Sequence, residues 1–230
     1  GNALAGRLLK SAIEAGVELW HDTPMLRLLS EGGAVTGVRV HHDGRDVEVL
    51  ASRGVVLASG GFSADEALRR EHIPFPGQHV SLVAEGNTAD GLKQALALGA
   101  RWDGPNLSNA GWVVVSVLRK ADGTLRKFPH LFLDRGKPGC IAVNAHGRRF
   151  GNESATNMVE PMHRTGSVPP HLVCDHVFIR RYGLGLVRPG GWGLQRLIAA
   201  GYVITAPTLE SLAERIGAPP ADFKATVERF

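Results

Sequence analysis

The feature that most constrains this chain is the run Gly54-Val55-Val56-Leu57-Ala58, followed at once by Ser59-Gly60-Gly61-Phe62. An unbroken apolar stretch of this length, bounded by turn residues, reads as a strand covered on both faces. Such a strand wants parallel neighbours and helices on either side, so the expected fold class is α/β or α+β. The glycines that end it turn the chain or let a ligand approach the backbone. N–H groups freed at a strand's carboxyl end suit the phosphates or ribose of a nucleotide. Taken alone, the string is better read as an ordinary glycine-rich turn.

Local signals place further elements around it. Residues 2–15 read as a helix with Leu4, Leu8, Leu9, Ala12 and Ile13 on one face, Asn2 as cap and Gly16 as stop. Residues 17–21 read as a short strand. Residues 25–29, 34–42 and 45–50 read as a β-meander turning at Glu31-Gly32-Gly33 and at Asp43-Gly44, a favoured hairpin pair. Residues 88–98 read as a second helix, with Thr88 as cap, Asp90 in the first turn and Gly99 as stop. Beyond Ala100 the character changes: 104–109 is loop, 111–117 strand, and Asp122-Gly123 a turn. Residues 128–151 read as irregular and basic apart from the apolar strand Cys140 to Val143, and 209–216 and 221–230 as helices. A lobe boundary is expected near Gly104. The lone apolar strand and a last helix still in its apolar rhythm at Phe230 point to part of a larger unit, or to a frayed terminus.

Composition narrows the function. At 230 residues, with 43% hydrophobic and 21% charged, the chain can bury a real core as one large domain or two lobes. No apolar run approaches the ~20 residues of a membrane span, and no basic-apolar leader opens the chain. The net charge is +4, but the basic residues are scattered and few aromatics accompany them, which argues against nucleic acid. Two cysteines without a CxxC, Cys140 and Cys174, exclude a disulfide framework and read as buried apolar residues of a reducing, cytoplasmic compartment. The ten histidines show no metal-ligand spacing, so no metal is expected.

Two further strings carry chemistry. Asp90 is placed to accept hydrogen bonds from ribose or flavin edges, or simply to complement a helix dipole. Gly147-Arg148-Arg149-Phe150-Gly151-Asn152-Glu153 is either a charged wall that positions a substrate or a salt-bridged loop tying two strands.

In order, Ser59-Gly60-Gly61-Phe62, Asn87-Thr88-Ala89-Asp90-Gly91-Leu92, Leu98-Gly99-Ala100, Pro138 to Asn144 and Gly147 to Ser154 resemble the fumarate reductase/succinate dehydrogenase flavoprotein superfamily. Asn152-Glu153-Ser154-Ala155 and Arg180-Arg181-Tyr182-Gly183-Leu184-Gly185 look most similar to its 3-ketosteroid dehydrogenase-like branch. The resemblance covers essentially the whole chain. It implies a Rossmann-like FAD-binding domain with a β-meander, in part at residues 1–103, and an inserted α+β capping domain at 104–230. It also implies FAD as cofactor and a small-molecule, steroid-like substrate. The family's GxGxxG strand and its C-terminal return have no match here, so the resemblance makes the chain a central piece in which FAD is absent or weakly held.

By the same resemblance, the backbone at Met25 lies near the adenine. Ser59 and Gly60 form the turn against the adenosine, and Asp90 is the carboxylate of a Gly-Asp-Gly string in which Ala89 replaces the first glycine. Arg148 and Arg149 are candidates for gripping a substrate. Asn157 stands where the family carries a proton-donating Arg or a Tyr. An amide cannot donate a proton at accessible pH but can hydrogen-bond a carbonyl. A hydride transfer at a carbonyl-activated C–C bond is therefore the expected activity. A dicarboxylate enzyme and a non-catalytic binding module are the alternatives.

Overall fold

The computed structural model of the protein describes residues 2–75, 79–103 and 109–230. It divides into two compact units, Gly1–Arg69 with Val83–Gly104, and Arg70–Leu82 with Pro105–Phe230. The expected boundary at Gly104 and nearly all of the expected 104–109 loop lie outside the described residues.

In the first unit the local signals make the elements. Helix α1 (Asn2–Glu14) follows its leucine periodicity, buries none of its residues, and begins at Asn2 itself rather than using it as a cap. Strands β1 (Met25–Glu31), β2 (Ala34–His42) and β3 (Arg45–Leu50) form an antiparallel sheet in that order, as the turn residues predict. Leu28 and Val40 are its buried side chains. Helix α2 (Glu66–His72) follows, and then α3 (Asp90–Ala97). Gln94 of α3 accepts a hydrogen bond from the Leu28 N–H at 3.2 Å, which ties the helix to the sheet.

Two expected strands do not form. Residues 54–58 join no ladder among the described residues, and Val56 is 90% exposed. An apolar run becomes a strand only when neighbouring strands take its N–H and C=O groups, and none does so here. Residues 17–21 are also irregular; Trp20 instead stacks on His42, with ring centroids 4.2 Å apart.

The second unit holds most of the core. Strands β4 (Val114–Arg119) and β5 (Leu125–His130) make a hairpin around Asp122-Gly123, starting and ending later than the sequence signal suggests. The stretch read as irregular contains the end of β5 and the short helix α4 (Phe132–Arg135), and the expected apolar strand forms as β6 (Cys140–Val143). Helix α5 (Val159–Arg164) leads to β7 (His171–Cys174), which pairs antiparallel with β6. Helices α6 (His176–Tyr182), α7 (Leu194–Ala199), α8 (Leu209–Ile216) and α9 (Pro220–Arg229) complete it.

All four residues of β6 are buried because the strand is covered on both faces. Ala142 faces a cluster with Val114, Met158, Val159 and Met162. Ile141 and Val143 face another with Ala213, Ala218 and Phe223. Phe223 is fully buried, worth about 1.5–3 kcal/mol relative to exposure. Thr208 and Ser211 close a reciprocal cap on α8. The fold is thus mixed α/β with small antiparallel sheets, and the expected parallel sheet is not seen among the described residues. No helix among them is long and apolar enough to cross a membrane.

Candidate functional site

The first group of candidate residues lies in the first unit. The turn at 59–64 is zipped to 87–89 by two backbone hydrogen bonds, Ala89 N–H to Gly61 O at 3.2 Å and Ala64 N–H to Asn87 O at 2.9 Å. This pairing brings Ser59 and Gly60 to the start of α3. A Cβ on Gly91 would lie 2.6 Å from Ser59 Oγ, and one on Gly60, whose φ is +91°, would lie 2.4 Å from Asn87 Oδ1. The residue preceding α3 is Ala89 rather than the expected cap Thr88, with a left-handed φ of 67°. Thr88 instead donates its hydroxyl to Asp90 Oδ1 at 3.0 Å. Ser59, Gly60, Gly61 and Asp90 are all exposed.

Met25 opens β1 opposite Val40 and is half-buried, and the hydrogen bond joining its strand to α3 runs through Leu28. An exposed hydroxyl, open glycine backbone and a carboxylate match the hydroxyl-rich adenosine side of FAD. They suit its pyrophosphate less, because a carboxylate repels phosphate.

The second group lies in the other unit. The chain leaves β6 and reverses tightly: Asn144 N–H donates to Arg148 O at 3.0 Å, and Asn144 Oδ1 accepts from the His146 and Arg148 N–H groups. Gly147, at φ +69°, packs against the backbone of Phe223, where a Cβ would come within 2.9 Å of its Cα. Arg149 then grips Glu153 through Nε at 2.8 Å and Nη2 at 2.5 Å. Glu153 is only 4% exposed and also accepts the Ala142 N–H at 2.8 Å. Burial opposes its ionisation, but Arg149 and that N–H outweigh it and hold the carboxyl below its usual range. Arg148 faces Asp222 of α9 at 3.3 Å, an exposed pair. Both arginines singled out from the sequence therefore have carboxylate partners.

Asn157 is exposed, next to the buried anchors Met158 and Val159. Its Nδ2 donates to Glu160 Oε2 at 2.8 Å, and Glu160 pairs in turn with Arg164 at 2.5 Å. One N–H of the amide is thereby used, and an amide nitrogen carries two.

Two features escaped the sequence reading. Arg135, 3% exposed, lashes down the segment that carries Asn157. Its guanidinium donates to His130 O at 2.9 Å, to Ala155 O at 2.9 Å and to Glu153 O. Beside it runs a chain of side chains: Asp134 Oδ2 to His130 Nδ1 at 2.7 Å, His130 Nε2 to Ser116 Oγ at 2.7 Å, and Ser116 Oγ to Tyr202 Oη at 2.5 Å. The Leu186 N–H donates to the same Tyr202 oxygen at 3.2 Å. With Nδ1–H on His130, every proton in that chain has an acceptor. Burial opposes the Asp134 charge, yet His130 and two backbone N–H groups keep its carboxyl below the usual range. The i, i+4 spacing of His130 and Asp134 was legible; nothing local announces Arg135 or Tyr202.

A family profile described as "FAD binding domain" matches residues 1–230. The chain belongs to this FAD-binding family. Over its whole length it is 37% identical to the 4-oxocyclohex-2-ene-1-carboxylate 5-dehydrogenase of Sinomonas cyclohexanicum, covering 40% of that protein. It is likewise 32% identical to the 3-oxosteroid 1-dehydrogenase of Mycobacterium tuberculosis, covering 42% of it. The chain thus spans about two-fifths of the length of these curated relatives. Among solved structures, the 3-ketosteroid Δ1-dehydrogenase of Sterolibacterium denitrificans, in complex with 1,4-androstadiene-3,17-dione, superposes with a TM-score of 0.80 at 35% identity. That match covers 94% of this chain and 40% of the other. A flavocytochrome c3 fumarate reductase shares the fold, with a TM-score of 0.60 at 21% identity. The two curated relatives named here are dehydrogenases by name.

Proposed function

We propose that the whole protein is an FAD-dependent dehydrogenase that acts on a cyclic ketone, moving a hydride from a ring carbon beside an activating carbonyl. The observation that carries this reading is the full-length similarity to enzymes named for ring ketones, one carboxylated and one steroidal. On this reading the first unit is part of the FAD-binding domain and the second belongs to the capping, substrate-facing domain. The exposed apolar side chains of α1 and of Val56 and Leu57 support a larger FAD-binding domain around the first unit. The two free thiols fit a cytoplasmic setting.

FAD supplies the two-electron acceptor. Ser59 and Gly60 would hold its adenosine side by hydroxyl and backbone contacts, Met25 would border the adenine, and Asp90 would accept from a ribose or flavin edge. Asn157 polarises the ring carbonyl with the N–H that Glu160 leaves over and stabilises the developing enolate. It gives up no proton, so the base is another group. A dicarboxylate substrate is the weaker reading, because Arg149 would have to abandon a buried carboxylate. Arg148, whose pair with Asp222 is exposed, is the better candidate for a carboxylate on the ring.

The test is Asn157→Ala in the whole protein. Losing one such donor costs about 2.7–4 kcal/mol in the barrier, so kcat on a cyclic ketone falls by about a hundredfold or more. A variant with a lower thermal midpoint and undiminished kcat per folded molecule would reduce Asn157 to a partner of Glu160. Absence of flavin absorbance in the whole protein would favour a non-catalytic binding module.

A further inference from the structure

Cys140 and Cys174 are 34 positions apart in sequence and directly opposite each other in the fold. They are register partners at the end of the antiparallel β6–β7 ladder. Opposed residues in such a ladder project their side chains to the same face, with Cα atoms about 4.5–5.5 Å apart. A disulfide needs Cα atoms about 4.4–6.8 Å apart, a span within which both types of antiparallel pair fall, and Cβ atoms about 3.5–4.5 Å apart, which a small local adjustment of the two strands supplies. Both thiols are free; Cys140 is buried and Cys174 partly accessible. The sulfurs also feel each other: after burial itself, the neighbouring Cys174 is the next influence raising the Cys140 thiol.

Their surroundings give the pair consequences. Cys174 precedes Asp175, whose carboxylate caps α6 by accepting the Phe178 N–H at 2.7 Å. Cys140 follows Gly139, which lies against the Phe178 ring. The segment between the two cysteines contains the Arg149–Glu153 pair and Asn157.

We propose that Cys140 and Cys174 form an oxidisable dithiol that closes to a cross-strand disulfide by exchange with a small-molecule disulfide, clamping the base of the segment that carries Asn157. Cys174 is the entry point. It loses its proton, its sulfur attacks one sulfur of the small disulfide, and the first small thiolate leaves and takes up that proton. Cys140 then attacks the Cys174 sulfur of the mixed disulfide, and the second small thiol departs with the Cys140 proton. Two protein thiols are oxidised and one small disulfide is reduced to two thiols. Burial, and then the Asp175 charge, push the Cys174 thiol up to about 12, so the closure is slow at neutral pH and accelerates about tenfold per pH unit.

The experiment is to incubate the native protein with oxidised glutathione at mildly alkaline pH, then alkylate under denaturing conditions and map the peptides. The expected result is a cross-linked peptide pair containing Cys140 and Cys174, no glutathione retained on either, a thermal midpoint several degrees higher, and reversal by dithiothreitol. Cys140→Ser should trap a stable glutathione adduct on Cys174, while Cys174→Ser should leave Cys140 unmodified. Two alkylated thiols after prolonged oxidation, or one glutathione on each cysteine without a cross-link, would overturn the proposal. Should either variant fail to fold, the wild-type peptide map decides alone.

Discussion

The two units hold their candidate residues in opposite ways. In the first, Ser59, Gly60 and Asp90 sit on an exposed surface, positioned by backbone hydrogen bonds and by the left-handed residues Gly60 and Ala89. Few of that unit's apolar side chains are buried; Leu28, Val40 and Ala89 are, while the leucines of α1 face solvent. In the second, Asn157 stands at the rim of a segment lashed down by buried charge: Arg135 on its carbonyls, and Glu153 between Arg149 and the Ala142 N–H. An exposed surface positioned by backbone hydrogen bonds can yield around a substitution, whereas a loop held by buried charge and packed main chain cannot.

The sharpest way to break that contrast is Arg135→Ala. Three carbonyls would lose a charged donor in a closed site, and the second unit should be destabilised by about 3–5 kcal/mol. Arg135→Lys should recover little, because one ammonium cannot reach the positions of a planar fork. Chemical denaturation of both variants checks this; a loss under about 1 kcal/mol would mean that water replaces the guanidinium and that the loop holds itself.

Next in size is a pair of matched substitutions. Gly147→Ala meets both a left-handed backbone and the unyielding main chain of Phe223, and should cost about 2–4 kcal/mol. Gly60→Ala meets the same backbone penalty but only the amide end of Asn87, which can swing away, so about 1–2 kcal/mol is expected. Equal losses, measured by denaturant midpoint, would erase the distinction between the units.

The smallest effect is expected at Ala89. A buried Ala→Gly change ordinarily costs about 1 kcal/mol through lost burial and a freer unfolded chain. Here the left-handed φ of 67° already strains the alanine by about 1–2 kcal/mol, so Ala89→Gly should be neutral or stabilising by up to about 1 kcal/mol. An ordinary loss would show that the backbone at the start of α3 is relaxed.

The same contrast explains what could be read in advance. The β-meander and helices α1, α8 and α9 follow from periodicity, turn pairs and caps, because those signals act within a few residues. The order of motifs around Ser59, Asp90 and Glu153 sufficed to recognise the flavoprotein family. Sequence chemistry also presented both faces of the arginine string, Glu153 included; only the fold supplied the β6 N–H that Glu153 also holds, and Asp222 from a distant helix.

What the sequence could not determine is where an apolar run finds its partners. Val55 to Ala58 and Cys140 to Val143 are alike in composition, yet the first joins no ladder among the described residues and the second is buried on both faces. Strand formation depends on hydrogen-bond partners and covering layers that lie far away in sequence, so composition states the need and tertiary structure alone meets it. The same holds for Arg135, the His130–Asp134–Ser116–Tyr202 chain and the facing of Cys140 by Cys174. Each is an ordinary residue in its own sequence neighbourhood, given a role by groups that only folding brings within bonding distance.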